Sequence, residues 1–476
     1  MKKLRVFVLS AVQTSFWASG EGLFLGRDIP ALTQLGETLG FCVECFETPV
    51  TTSEEAAGAV KKAQEVEADF LLVQATTFAA GGIIIPLAKA GIPLGIWGVP
   101  EVKKNGPIPG NSFCGVNMFC SIVKQYVNEN IPYKWFYGKV EDEMFTERFK
   151  TTIQALRAVS ALKGARIGLV GGVAPEFYDL GYDEGKLMKK LEIQVFHHDF
   201  SEVREIAMSM PCGETEKVLE HFIGNCRHVA DDLSLEGLRN MANVYLAIKR
   251  IKESGGYDGV AISCWPKFRK ELGIVVCAVI GRLLEDEVLA ACEGDVESLI
   301  TMIALRALSG NTPMLMDCSK FDEKDQSVLM WHCGSAPNCY ADDAGVDLQG
   351  HYKPGSRVTC ADEMRVAGVH DLYYKAQPVT VARLSQNGNK FFTFSGEFFE
   401  KTDRGFDGSR GWLGKLKNKG MPMAVRDLVE TIMTGGLQHH YAVVAGDVED
   451  SMREAAAWLR IDPVEVCHYM PFLQNG

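Results

Sequence analysis

Apolar residues along the first third of the chain fall in short blocks separated by segments of helical period. The blocks "LRVFVLS", "FCVECFE", "ADFLLVQ" and "IPLGIWGV" read as strands, and near 29–39 and 53–65 the apolar positions recur every three to four residues. This alternation predicts βαβ units, in which helices cover a parallel sheet. The rhythm restarts at "ARIGLVGGVAPEF" and continues through a helix near 182–191, "IQVFHHD", a long helix over 233–253 and "YDGVAISCW". From Asn311 the pattern changes to shorter strands: "MLMDCSKF", "SVLMWHCG", "SRVTCADE", "PVTVARLS" and "KFFTFSGEFFE". They predict a small barrel or sandwich, closed by the helix "MAVRDLVETIMTGG", the strand "HHYAVVAG" and the helix "DVEDSMREAAAWLRI". The expected class is α/β. Two doubly wound parallel-sheet domains, 1–163 and 164–310, precede a β-rich, barrel-like domain, 311–476, with terminal helices.

At the end of the second domain, 295–310 reads as an amphipathic helix. Val296, Leu299, Ile300, Ile303, Ala304, Ala307 and Leu308 share one face, and Gly310 ends it. Glu293 stands just before it, after the apolar run Leu289 to Cys292, a carboxylate where chain and helix both turn inward. Its ordinary reading is a solvated acid favoured by the helix dipole.

Composition narrows the partners more than the class. A 476-residue chain with 47% hydrophobic and 23% charged residues is too long for one core and ordinary for a globular protein. A net charge of -12, without a long Lys/Arg block, argues against nucleic acid and anionic membranes and leaves small molecules. The 14 cysteines are scattered through apolar runs, as expected for reduced thiols in a cytoplasmic protein. The one CxxC, Cys42 to Cys45, lacks a second pair at zinc-ribbon spacing and reads as part of a strand. Arg5 interrupts the apolar N-terminus, so "MKKLRVFVLSAV" reads as a first strand rather than a signal peptide. The longest apolar stretches are broken by Lys89, prolines or Arg282, short of the ~20 residues of a spanning helix.

Several polar groups are placed to converge. In "MLMDCSKFDEKDQSVLMWHCG" two strands flank a polar turn, and a turn centred on Lys324 and Asp325 puts Asp317 opposite His332, ~5 Å apart at Cβ. A slip of one residue separates them. "TGGLQHHYAVVAGD" starts a strand with His439 and His440, so alternation sends only one of the two to a given site. "CWPKF" opens a loop at the carboxyl end of a buried strand, which makes Trp265 and Lys267 candidate ligand contacts, or else a packed Trp-Pro turn. "GLVGGVAP" is not G-x-G-x-x-G and reads as a packed strand-to-loop turn. Pattern alone leaves a carboxylate and histidine set, open between a metal site and separate structural roles.

The order "CEGD", "MDCSKF", "WHCG", "TGGLQHHYAV" resembles the L-fucose isomerase and L-arabinose isomerase superfamily, and the three-domain layout matches it over nearly the full length. The separation of 24 residues between Glu293 and Asp317 is similar to the fucose-type spacing of its two metal-binding carboxylates. The resemblance implies an aldose-ketose isomerase working through a cis-enediol on a free sugar of the L-fucose, D-arabinose or L-arabinose type. A modified or charged sugar and a noncatalytic sugar-binding protein are its alternatives. It implies Glu293 and Asp317 as catalytic groups and metal ligands, His440 as a ligand, and His332 as the additional ligand of the arabinose type. His439 stands where fucose-type enzymes have an asparagine and becomes a candidate sugar contact beside Trp265 and Lys267. The implied cofactor is Mn²⁺, with other divalent ions admissible. The implied assembly is a homo-oligomer, a hexamer among the options, with the sugar pocket shared between subunits. "VPEVKKNGPIPGNSFCGVNMF" is the candidate contribution to a neighbour's site, or an ordinary connecting loop.

Overall fold

The computed structural model describes residues 3–15, 23–231, 233–351 and 367–474. The chain forms two compact units, Met1–Ser160 and Ala161–Gly476. In the first, β1 (Leu4–Ala11), β2 (Phe41–Val50), β3 (Phe70–Ala75), β4 (Leu94–Gly98) and β5 (Tyr133–Tyr137) pair in parallel in the order β2-β1-β3-β4-β5. Every residue of β3 is buried, as expected of a central parallel strand covered on both faces. The helices Ile29–Leu39 and Ser53–Glu65 sit where their period puts them, the second opened by a capping box between Thr52 and Glu55. Strand β5 and the helices Ser112–Ile122 and Glu143–Leu162 add to what the sequence pattern gives. Strand order reverses between β1 and β3, and their carboxyl ends open into a polar crevice lined by Asp28, Gln74, Thr76, Glu101 and Ser112. Cys42 and Cys45 lie within β2, with Cys42 Sγ donating to the Leu4 carbonyl.

The second unit contains β6 (Arg166–Val170), β7 (Gln194–His198), the two-residue β8 (His228–Val229), β9 (Gly259–Ile262) and β10 (Leu289–Cys292). Four of these form a parallel sheet in the order β10-β9-β6-β7. The remaining strands are β11 (Met314–Asp322), β12 (Ser327–His332), β13 (Asp347–Gly350), β14 (Ala367–Tyr373), β15 (Gln377–Ser385), β16 (Lys390–Phe399), β17 (Ser409–Asn418), β18 (Met421–Pro422), β19 (His440–Ala445) and β20 (Asp462–Pro463). They build a large mixed sheet that β8 also joins. Because β16 pairs with both β15 and β17, the antiparallel run β16-β15-β19-β11-β12-β17 closes on itself as a barrel. Met316, Met330, Val381, Phe394, Leu413 and Val443 fill its core. The barrel, not the sandwich, is therefore the architecture. Its closing strand β17 was not among the expected ones, and "SRVTCADE" lies outside the described residues.

Two expectations need correction. The helix after Glu293 runs Val296–Ser309, capped by Asp295 and by the left-handed Gly310, but it is buried almost all round rather than along one stripe. It lies between the parallel sheet, at β9 and β10, and the barrel, at β15 and β19, so no face is left for water. The β11–β12 hairpin turns where predicted, with Asp322 opposite Ser327. A bulge between Cys318 and Lys320 then shifts the register by one, so Asp317 faces Trp331 and not His332. Among the described residues, no helix is long and apolar enough to cross a membrane.

Candidate active site

Strand β10 delivers the chain to the carboxyl edge of the second sheet, the edge at which ligand sites form in α/β folds. The next two residues are left-handed, Glu293 at φ 60° and Gly294 at φ 73°, and they turn the chain into the N-terminus of the buried helix. A side chain at Gly294 would run into the carbonyl oxygen of Gly172, so only glycine fits. The Gly294 N–H donates to the Ile262 carbonyl and the Ala174 N–H to the Glu293 carbonyl. The "GLVGGVAP" segment is thus a packed turn that clamps the Glu293 backbone and aims its side chain inward.

Asp317 and His440 arrive on adjacent strands as a direct cross-strand pair of β11 and β19. His440 Nε2 lies 3.7 Å from Glu293 Oε2 and 3.9 Å from Asp317 Oδ1. His439 precedes β19, so strand alternation does not govern it. Both histidines of the doublet consequently face the carboxylates, with ring centroids 4.2 Å apart. His439 Nε2 is 3.2 Å from Glu293 Oε2, and its Nδ1 is 2.7 Å from Asp179 Oδ2. His332 turns its Nε2 toward Cys292 Sγ at 3.2 Å and its Nδ1 toward Ser335 Oγ at 3.2 Å. The loop with Trp265 and Lys267 leaves the same edge of the sheet, beyond β9. Trp265 is half-buried there and accepts from Ser263 Oγ, while Lys267 is exposed with its ammonium 6.0 Å from the Phe200 ring centre.

Two residues behind the histidines escaped the sequence reading. Asp295 caps the helix through Ser298 N, and its other oxygen takes Arg383 Nη1 at 2.5 Å and His440 Nδ1 at 3.0 Å. Asp295 and Arg383 are both fully buried. The N-cap role was legible in "GDVES"; its reach to a strand 145 residues away was not. Arg383 carried a signal, since in "PVTVARLS" it shares the parity of the buried Val379 and Val381 and must find an anion there. With Asp295 at Nδ1, His440 Nε2 faces the carboxylates.

The carboxyls are held in different protonation environments. Burial works against ionising Glu293, but the hydrogen bond from His439 and the nearby His440 and His332 outweigh it and hold its carboxyl below the usual range. Burial dominates at Asp317 and raises it despite the same histidines. Burial likewise opposes the His439 cation, yet Glu293 and Asp179 together carry its pKa up to about 9. Burial pushes the Cys292 thiol well above its ordinary value. Asp317 Oδ1 is buried and has no hydrogen-bond partner among the described residues. The donor atoms of Glu293, His439 and His440 all lie within 4.8 Å of one another, as do those of Cys292, His332 and His440. The first grouping, with the unsatisfied Asp317 oxygen 3.9 Å from its His440 Nε2, offers the mixed carboxylate and imidazole donors that fit a divalent ion.

Glu297, in the first turn of the helix, gives a pH prediction. Its carboxyl accepts from Gly388 N at 3.0 Å and Gln438 Nε2 at 3.2 Å, and burial, opposed by Arg383, pushes its pKa from 4.5 up to about 7. A raised carboxyl pKa means the folded state loses stability as pH climbs from the unfolded value through the folded one. Relative to Glu297→Gln, the native protein should lose about 2–3 kcal/mol of unfolding free energy between pH 5 and pH 8. Urea titrations of both proteins at the two pH values measure this. An unchanged difference between them would remove Glu297 as the titrating group.

No protein-family model matches the chain. In sequence it is similar to proteins named sulfoquinovose isomerase. That of Priestia megaterium is 26% identical over 424 residues, covering 87% of this chain and 90% of the relative. That of Alkalicoccus urumqiensis is 25% identical over 406 residues, covering 84% and 86%. Among solved structures, a solute-binding protein from Agrobacterium vitis aligns at 12% identity and a TM-score of 0.17, which carries no argument. Similarity to isomerases over more than four-fifths of both chains, taken with two carboxylates that approach His440 Nε2, leads to one conclusion: the chain is an isomerase.

Proposed function

We propose that this isomerase is a divalent-metal-dependent aldose-ketose isomerase acting on a sulfonated sugar of the kind its relatives are named for. The observation that carries the reading is the approach of Glu293 and Asp317 to one imidazole nitrogen, His440 Nε2, at 3.7 and 3.9 Å. Binding a sugar requires no such pair, whereas moving a proton between neighbouring carbons requires a group to take it and a group to serve the oxygens. Isomerisation carries one proton from C2 to C1 and another between O2 and O1, through a cis-enediol. Glu293, the more readily ionised carboxyl, is assigned the carbon-bound proton. Asp317, with Oδ1 buried and unpartnered among the described residues, is assigned the oxygens. Cationic His439 holds Glu293 in place through its 3.2 Å contact and is itself anchored by Asp179.

Glu293, Asp317 and His440 would hold the ion, with His332 as an additional donor, and mixed oxygen and imidazole ligands suit Mn²⁺ among divalent ions. Such an ion supplies charge stabilisation to an enediolate and orients the open sugar chain. The relatives' names favour a sulfonated substrate over the free L-fucose, D-arabinose or L-arabinose expected from the motifs alone.

The test is ketose formation by EDTA-stripped protein, with and without Mn²⁺, on sulfoquinovose, L-fucose, D-arabinose and L-arabinose. Mn²⁺ should restore turnover, and kcat/KM for sulfoquinovose should exceed that for each uncharged sugar by about 100-fold or more. Turnover confined to an uncharged sugar would sink the substrate assignment, and metal-independent turnover the cofactor.

A further inference from the structure

A second trio of donors meets at His440. Cys292 Sγ lies 3.2 Å from His332 Nε2 and 3.6 Å from His440 Nε2, and all three side chains are buried. Each ring has a partner at Nδ1: Asp295 for His440 at 3.0 Å, and Ser335 for His332 at 3.2 Å. With each Nδ1 so occupied, both Nε2 atoms turn to one sulfur. These donor atoms all lie within 4.8 Å of one another, a thiol and two imidazoles gathered at one point. Around a tetrahedral ion with metal–sulfur and metal–nitrogen bonds of about 2.3 and 2.0–2.1 Å, sulfur and nitrogen ligands stand about 3.5 Å apart. The two observed separations bracket that value.

We propose that Cys292, His332 and His440 form a second metal seat, for a thiophilic divalent ion of the Zn²⁺, Cd²⁺ or Co²⁺ kind. The ion replaces the thiol proton, which passes to solvent. Three protein ligands leave a fourth position open, unlike a closed structural zinc site. Softness divides the ions: thiolate and imidazole draw the thiophilic ones, while Glu293 and Asp317 suit the oxygen-seeking ones. One His440 lone pair serves one ion, so the two seats exclude each other. The proposal concerns the donors around Cys292 and does not rest on the sugar assigned above.

The full-length protein, stripped with EDTA, is titrated with Co²⁺ and followed by near-ultraviolet absorption. A sulfur-to-cobalt charge-transfer band should saturate at one equivalent, disappear in Cys292→Ser and Cys292→Ala, and survive in Glu293→Gln. Excess Mn²⁺ should slow its growth. Cobalt bound to the wild-type protein without that band overturns the proposal whether or not either cysteine variant folds. So does a full-sized band in a folded Cys292 variant. Failure of every sugar to turn over would defeat the proposed function and leave the band unaffected, so the two outcomes are separable.

Discussion

Glu293→Gln is expected to lower kcat on the turned-over aldose by about 10³-fold or more while leaving the protein folded. General-base catalysis is worth about 10²–10⁴-fold, and glutamine keeps the size and most hydrogen bonds of glutamate without taking a proton. The fold should tolerate the change, because Glu293 is held by its backbone: its carbonyl accepts from Ala174 N and the following Gly294 donates to the Ile262 carbonyl. The side chain contributes a hydrogen bond to His439, which an amide oxygen can still accept. Two readouts separate a base from a ligand. Loss of the base stops incorporation of solvent deuterium into the sugar at every Mn²⁺ concentration, whereas loss of a ligand alone is overcome by added Mn²⁺. Activity within about tenfold of the native protein would exclude Glu293 as the base.

Arg383→Met is expected to cost about 3–5 kcal/mol of stability, the usual penalty for removing one partner of a buried ion pair. Arg383 is fully buried, with Nη1 2.5 Å from Asp295 and in contact with Ser298 Oγ. It also opposes the upward shift of Glu297. Its loss leaves the Asp295 and Glu297 carboxyls in the interior without the guanidinium. Since a domain's whole stability is about 5–15 kcal/mol, the shift in the urea midpoint is large at neutral pH. Adding Asp295→Asn to Arg383→Met should recover part of the loss, because an amide does not leave an uncompensated charge. A penalty below about 1 kcal/mol would mean that water or a rearranged His440 takes over for the guanidinium.

The two predictions concern residues of unequal visibility. Glu293 stood out in the sequence because an acid between an apolar strand and an apolar helix has few places to go. Arg383 was just as anomalous among valines, but its anion is 88 residues away in the chain, and no local pattern names it. Cys292 read as an ordinary buried thiol for the same reason: an apolar run reports that a sulfur is inside, not that two imidazoles are beside it. The hairpin shows the limit most clearly. Its turn was legible from "DEKDQ", but the bulge beyond Cys318 was not, and the pairing of Asp317 fell one residue from expectation. A bulge answers to the twist that strands need when β17 and β19 flank them in a closed barrel, and β17 itself carried a weak pattern.

By itself the sequence determined the local structure: parallel strands and covering helices from apolar period, the N-cap at Asp295, the glycine after Glu293, and the chain order of acids and histidines. These depend on neighbours within a few residues, where propensity and spacing act directly. Tertiary structure decided which of the polar groups meet. It set Asp317 across from His440 rather than His332, brought both histidines of the doublet to Glu293, and placed Asp295 and Arg383 behind them. Those contacts span tens to hundreds of residues and are fixed by strand register, barrel closure and the burial of one helix between two sheets, which exist only once the whole chain has folded.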